Sequence, residues 1–289
     1  MNLNDDDILI VHGPTGAETP LVLDSRHSGY RMPADFRAAL SDAELRDGED
    51  RFIDELYRPA ADRGIPLLAA QFPRTYLDAN RHAGDIDLAL LDEGVWPGEH
   101  RPSGKAGIGK ALVWRTLDDG RPIYDRHLTG TELRARIERY HRPYHECLQG
   151  LLDAAHAAHG VVYHINCHSM NPVSGVMAEG GAGIARADIV LGDRDGSTCD
   201  TAFTAFVAEV LAGFGYGVKV NDPFKGVELV RAYSDPATGR HSLQLEVNKR
   251  LYMNPASGDK HAGFATLQQH LMQLLDAIAE RFWSHARHG

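Results

Sequence analysis

The chain has 289 residues, of which 43% are hydrophobic, and a formal net charge of −10 with a sequence pI of ≈ 5.9. This length and hydrophobic content suit one large α/β domain whose core is stable without disulfide or metal cross-links. The chain has no basic tract to neutralise phosphates, so we expect no nucleic-acid partner. Its cysteines (Cys147, Cys167 and Cys199) are odd in number and sparse, which argues against a disulfide framework and fits a reducing compartment.

Membrane association is not expected either. No apolar run approaches the roughly 20 residues that a spanning helix needs. Residues 1–7 are acidic where a secretory signal peptide would be basic. We therefore expect a soluble, cytoplasmic protein. The sequence leaves the oligomeric state open, a homo-oligomer included.

Apolar runs and helical periodicity alternate along the chain. Strands are predicted at residues 20–24, 65–70, 161–170, 188–192, 217–220 and 242–248, and helices at 50–62, 129–159, 200–214 and 266–285. A capping box at 41–44 predicts a further helix start, and Pro143 is expected to break the helix over 129–159. Residues 33–40 predict a short helix or turn. Residues 82–124 predict a long, partly ordered loop, and 223–233 predict a further loop. The order predicts one α/β domain over 1–289, with a mixed, mostly parallel sheet flanked by helices.

Side chains that can bind metals, transfer protons or bind anions lie at or just after the ends of several predicted strands. They are His27, the group Asp78, Asn80 and Arg81, then His168 and Glu246. Ligands bind beyond the carboxyl ends of strands in open α/β sheets, so these residues predict a site. Alternatively, His168 is a core or turn histidine, and Glu246 lies on the solvent-exposed face of an ordinary half-buried strand.

Two histidines and one carboxylate are a minimal ligand set for catalytic zinc, which leaves a position for water. The acidic residues nearest to His27 in the sequence are Asp50, Asp54 and Glu55. The residues alone leave the choice open, since all three suit the solvated face of a helix. A second, unligated carboxylate is needed to take a proton from water, and Glu246 is the candidate.

Short motifs spread over nearly the whole chain resemble those of the N-formylglutamate amidohydrolases (N-formylglutamate deformylases), relatives in fold of the zinc carboxypeptidases. The matching pieces occur in the family's order: Arg26–Gly29, Asp50 upstream of Leu56-Tyr57, Leu77–Arg81, Arg142–His145, Cys167–Ser169, Phe224–Gly226, Tyr233, Leu243–Glu246 and Leu251–Met253. The resemblance implies a zinc-carboxypeptidase-like fold and hydrolysis of N-formyl-L-glutamate to formate and L-glutamate, a reaction of histidine degradation.

The same resemblance implies roles for individual residues. Zinc, or another divalent transition metal, would be held by His27, Asp50 and His168, with Glu55 as the alternative acidic ligand by analogy with the carboxypeptidases. Glu246 would match their general base. Arg81, with Asn80, would match the pair that grips a substrate carboxylate, and Arg81 is also a candidate to stabilise the oxyanion.

A substrate with two carboxylates requires two cationic contacts. Lys225 and Arg231, which lie in predicted site loops, are the further candidates beside Arg81. Both residues are equally consistent with plain surface charge.

Three other functions stay open. The same scaffold could hydrolyse another N-acyl amino acid or a short peptide, because fold and metal do not select the substrate. Cys167 could act as the nucleophile of a metal-free amidase, although strand neighbours such as Cys167 and His168 point to opposite faces. The chain could also be a binding protein without catalysis, which the presence of both Glu246 and Arg81 argues against.

Overall fold

A computed structural model describes residues 8–14, 16–177 and 181–283. Within these ranges, seven strands form one sheet. They are β1 (Leu9–His12), β2 (Leu21–Ser25), β3 (Leu67–Ala70), β4 (Val162–Met170), β5 (Ile189–Gly192), β6 (Val218–Val220) and β7 (Arg240–Asn248). The helices are α1 (Asp42–Leu45), α2 (Ile53–Tyr57), α3 (Gly130–Arg136), α4 (Arg142–His159), α5 (Thr201–Gly213), α6 (Glu228–Ala232) and α7 (Gly263–Phe282).

The strand order is β1-β3-β2-β4-β7-β5-β6. β3, β2, β4 and β7 are parallel neighbours, and so are β5 and β6, whereas β1 pairs with β3 and β5 pairs with β7 in the antiparallel sense. The predicted α/β fold with a mixed, mostly parallel sheet is confirmed. The four central parallel strands bring their carboxyl ends to one edge.

Each face of the sheet is covered by its own hydrophobic layer, as expected when helices flank a parallel sheet. One layer contains α4 and apolar residues of the segment 82–124, among them Leu112, Trp114 and Ile123. The other contains α2, α5 and α7, and it buries Leu243, Leu245 and Val247 of β7. Glu246 therefore faces the first layer, the side on which residues 82–124 lie.

The segment 82–124 is better ordered than its composition predicts. Its helical structure is limited to short 3₁₀ turns at Leu88–Leu90 and Ala106–Ile108. Several of its apolar side chains are nevertheless buried in the core, and these contacts hold the segment against the sheet. The prediction of a partly ordered loop missed this packing, because the apolar residues follow no helical or strand period.

The helix predicted over 129–159 is present, but an irregular turn divides it into two helices that follow each other directly. A π-helical turn over Ile137–His141 separates α3 from α4, and Pro143 lies at the start of α4. Proline lacks a backbone N–H and cannot complete the preceding helical ladder, which accounts for a break at this position.

Other boundaries differ from the predictions. α2 covers only five residues and continues as a 3₁₀ turn over Arg58–Arg63, which contains Pro59. β1 was not predicted, and the residues of α6 fell in the predicted loop 223–233. α7 ends at Phe282, and the predicted end at His285 lies outside the described residues, as do the acidic residues 1–7. In the described ranges, no helix combines the length and apolar character needed to cross a membrane.

Candidate metal centre

Three side chains predicted as metal ligands meet at the carboxyl edge of the sheet. His27 follows β2, Asp50 precedes α2, and His168 lies near the end of β4. All three are buried, and one potential ligand atom from each lies within 4.8 Å of the others. The Nδ1 atom of His168 lies 2.8 Å from Oδ2 of Asp50, and Nδ1 of His27 lies 3.4 Å from the same oxygen. We call this group the candidate metal centre.

The backbone brings these residues together. β2 and β4 are adjacent parallel strands, so His27 and His168 arrive at the same edge. The backbone N–H of Asp50 donates to the carbonyl of His27 at 2.9 Å, which places the carboxylate beside the imidazole. Gly29 permits the turn after His27 by close approach, since a Cβ there would lie 2.6 Å from the backbone nitrogen of Phe72. A side chain at position 29 would therefore displace the turn.

The protonation states suit a divalent transition metal. Burial and the charge of Arg26 lower the pKa of His168 to about 3, so its imidazole is neutral. Burial alone would raise the pKa of Asp50, but the contacts with His168 and His27 hold it well below its usual value. Two imidazoles and one carboxylate are a donor set that zinc and its neighbours prefer.

His27 also has the surroundings of a metal-binding histidine. Its buried Nδ1 has no hydrogen-bond partner of good geometry in the described chain, while Nε2 lies 2.7 Å from Oδ1 of Asp78. A carboxylate that accepts from the far ring nitrogen fixes the tautomer and leaves the near nitrogen as a ligand. The residues at this edge therefore fit a bound divalent cation.

Asp78 is in turn held by Arg74, a residue that sequence reasoning missed. The Nε of Arg74 donates to Oδ2 of Asp78 at 3.0 Å. Burial would raise the pKa of Asp78, but Arg74 and His27 hold it well below the usual range. Arg74 follows β3 closely, so the strand-end argument that selected Asp78 and Arg81 could also have selected Arg74.

Glu246 lies beside the candidate metal centre on the neighbouring strand. β4 and β7 pair in parallel with His168 opposite Glu246. The Glu246 side chain is buried, and one of its oxygens accepts from Nε2 of Gln244 at 2.9 Å. Burial and the nearby Asp50 carboxylate raise the pKa of Glu246 to about 8. Such a carboxyl group is suited to exchange protons near neutral pH.

These side chains form the floor of an open cleft of about 900 Å³. Asp50, His168 and Glu246 line the floor, and the segment 82–124 contributes Lys110, Trp114 and Asp118 to the lining. A cleft of this size is typical of sites for small organic ligands.

Arg81 and Asn80 line this cleft but are already engaged. The Nε of Arg81 donates to the carbonyl of Lys110 at 3.1 Å and lies 3.7 Å from Asp78. Asn80 accepts from the backbone N–H of Leu229 at 3.0 Å, and its Nδ2 lies 3.4 Å from Nε2 of His168. The polar groups of both residues are therefore bonded to neighbouring parts of the protein, around the candidate metal centre.

The structure places the other two predicted cations away from the floor. Lys225 lines the cleft, but its ammonium pairs with Asp195 at 2.9 Å and is largely exposed. Arg231 borders a smaller neighbouring cavity of about 250 Å³, where it pairs with Glu228 at 2.6 Å. The sequence could not separate these positions, because both residues lie in the stretch 223–233 that was predicted as one loop, whereas Arg231 lies in α6.

The alternative ligand and the alternative nucleophile lie elsewhere. Glu55 is partly exposed and pairs with Lys260. Cys167 packs in the hydrophobic layer on the opposite face of the sheet from Glu246, and burial raises its thiol pKa well above the usual value. A protonated, buried thiol is a poor nucleophile.

Comparisons with known proteins agree with this architecture. A model of the family described as N-formylglutamate amidohydrolase matches residues 19–253. An N-formylglutamate deformylase of Pseudomonas putida is 29% identical over 238 residues, covering 81% of this chain and 82% of that protein. Its counterpart from Pseudomonas aeruginosa is 29% identical over 251 residues, covering 85% of each.

The crystal structure of an N-formylglutamate amidohydrolase from Ralstonia eutropha JMP134 superposes with a TM-score of 0.88. It is 42% identical, and the match covers 95% of this chain and 98% of that one. The resemblance drawn from short motifs is thereby confirmed over most of the chain: this protein belongs to the N-formylglutamate amidohydrolase family.

Proposed function

We propose that the protein is a zinc-dependent amidohydrolase that cleaves the formyl amide of N-formyl-L-glutamate to formate and L-glutamate. The convergence of His27, Asp50 and His168 in a member of this family carries the proposal. The names of the Pseudomonas and Ralstonia relatives supply the substrate. A role in histidine degradation and a cytoplasmic location belong to the same proposal.

His27, Asp50 and His168 would hold the metal, and Asp78 would orient His27 from behind. When bound, a divalent cation polarises an amide carbonyl and lowers the pKa of water toward ~7. Asp50 is ionised and His168 is neutral, so neither must change its protonation state before binding.

Glu246 is proposed as the proton carrier. A cation beside it would lower its pKa, leaving a carboxylate that accepts a proton from the attacking water. The water oxygen bonds to the formyl carbon, the C–N bond breaks, and Glu246 returns the proton to the leaving amine nitrogen. Its pairing with His168 across β4 and β7 keeps the carboxylate next to the reacting group.

The negative charge that develops on the carbonyl oxygen needs a cationic donor. Arg81 remains a candidate, and Arg74 is a second. The Nε of Arg74 is anchored to Asp78, while its guanidinium lines the cleft and interacts electrostatically with Asp50. Its two terminal nitrogens have no hydrogen-bond partner among the described residues.

Hydrolysis of another N-acyl amino acid or a short peptide is the competing proposal, since the cleft is larger than one formylated amino acid requires. The test is formate release from N-formyl-L-glutamate by purified protein, before chelation, after chelation and after zinc is restored. We expect activity that is lost and then recovered. No formate from zinc-loaded protein would refute the substrate, and activity that survives complete metal removal would refute the mechanism. A panel of acetyl, succinyl and peptidyl substrates separates the two proposals.

A further inference from the structure

Seven cationic side chains among the described residues line the cleft. They are Arg74, Arg81, Lys105, Lys110, Arg186, Lys225 and Lys249. Several are neutralised within the protein: Lys110 pairs with Asp118 at 2.8 Å, Lys225 pairs with Asp195, and Arg74 donates to Asp78. Lys105 is exposed, as surface lysines generally are.

Arg186 and Lys249 differ from the rest. Both are partly buried. Among the described residues, neither side chain makes a hydrogen bond or an ion pair within 4.0 Å. Burial lowers the pKa of each, although Glu246 raises that of Arg186 and Asp50 raises that of Lys249. A desolvated cation without a direct partner is costly, and a bound anion would offset that cost.

The backbone places both residues at the end of β7. Asn248, between Glu246 and Lys249, donates from Nδ2 to the carbonyl of Ala187 at 2.9 Å, and its backbone N–H donates to the carbonyl of Asp188 at 2.8 Å. These bonds fix the segment that carries Arg186 beside the strand that carries Glu246. Lys249 begins the 3₁₀ turn that follows β7.

The Arg186 guanidinium is also supported from one side by an aromatic ring. Its Cζ lies 4.8 Å from the centre of the Phe224 ring, and both residues line the cleft. Stacking on an aromatic face restricts the guanidinium plane and leaves its edge, which carries the N–H donors, free for a ligand. This arrangement suits bidentate recognition of a carboxylate.

We propose that Arg186 and Lys249 form the receptor for the two carboxylates of the substrate, with Arg186 binding the side-chain carboxylate and Lys249 the α-carboxylate. The inference rests on the proposed function for its substrate and replaces Lys225 and Arg231 as the main cationic contacts. The planar guanidinium of Arg186 binds one carboxylate bidentately, whereas Lys249 acts as a point charge on the side of the cleft near Asp50.

The test compares substrates that differ by one charge. Arg186→Gln is assayed with N-formyl-L-glutamate and with N-formyl-L-glutamine, whose side-chain amide is neutral. We expect kcat/KM for N-formyl-L-glutamate to fall about 10- to 100-fold, with a much smaller change for N-formyl-L-glutamine. Lys249→Gln should show the same selectivity when N-formyl-L-glutamate is compared with its α-carboxamide.

Matched controls are available on the surface. Arg250→Gln removes an exposed arginine that pairs with Asp188, and Lys219→Gln removes an exposed lysine that pairs with Asp222. Neither residue lines the cleft, so both variants should keep the wild-type ratio of activities. Arg186→Lys keeps the charge without the bidentate geometry and should fall between wild type and Arg186→Gln. Equal losses of activity on the charged and neutral substrates, or no loss on either, would refute the proposed carboxylate-binding role.

A binding measurement separates this inference from the proposed function. Calorimetry on zinc-loaded wild type and Arg186→Gln compares glutarate, a dicarboxylate, with butyrate, a monocarboxylate of similar length. If the wild type releases no formate but prefers glutarate in an Arg186-dependent manner, the proposed substrate is wrong and the receptor stands. If both proteins bind the two acids alike, the receptor is refuted whatever the activity.

Discussion

Replacing Glu246 by glutamine tests the proposed mechanism most directly. The substitution removes the proton-accepting oxygen while keeping size and shape. Gln244 donates to Glu246 at 2.9 Å, and its own buried Oε1 has no partner in the described chain, so a new amide at position 246 can be accommodated. We expect turnover to fall about 100- to 10,000-fold, which is the contribution of a positioned proton carrier. This corresponds to about 3–5 kcal/mol of transition-state stabilisation.

Two measurements separate lost chemistry from lost structure. Metal content by plasma mass spectrometry should stay at the wild-type value, because Glu246 is outside the candidate metal centre. Glu55→Gln, at a partly exposed carboxylate paired with Lys260, is the matched control and should keep both metal and activity. If Glu246→Gln retains more than a tenth of wild-type turnover with full metal, Glu246 has no role in proton transfer.

The metal-free proteins provide a second check. The pKa of Glu246 is raised from 4.5 to about 8, so the folded state favours the protonated carboxyl. Its contribution to stability is complete below about pH 4.5 and is lost as the pH rises toward 8. At pH 7 metal-free Glu246→Gln should therefore exceed wild type in unfolding free energy by up to about 3 kcal/mol. A less stable variant in urea titrations would contradict the burial argument.

Three further predictions concern the surroundings of the site. Asp78→Asn should weaken zinc affinity about 10- to 100-fold in competition titrations, since the carboxylate orients His27; unchanged affinity would exclude that role. Burial lowers the pKa of His145 to about 3, so its contribution to stability is complete above about pH 6.5 and is lost as the pH falls toward 3. The melting temperature of His145→Gln should therefore fall less steeply with pH in this range than that of the wild type, and equal slopes would contradict this. Gly29→Ala should lose about 1–3 kcal/mol of stability because its Cβ would overlap neighbouring backbone, whereas Gly150→Ala, in open space on α4, should be neutral or stabilising in the same thermal assay.

The sequence predicted the long elements well and the short ones only in part. β4 and β7 span nine residues each: β4 was visible as an apolar run after Gly160, and β7 as an alternation of apolar and polar side chains. Among the short elements, β5 and β6 were predicted, whereas β1 and α6 were missed. The antiparallel pairing of β5 with β7 could not be predicted, because the choice of neighbour depends on contacts distant in the chain.

The sequence by itself determined the α/β class, the family and the strand ends that carry His27, His168 and Glu246. These properties follow from local hydrophobic patterns and from short motifs, both of which are written along the chain. Only the tertiary structure placed the Asp50 carboxylate between two imidazoles while Glu55 turned toward Lys260. It likewise decided which cations are neutralised by carboxylates and which, like Arg186 and Lys249, face the cleft without one. The physical reason is that a charged side chain carries no sign of its partner in the sequence, because its pairing and burial depend on segments that only folding brings together.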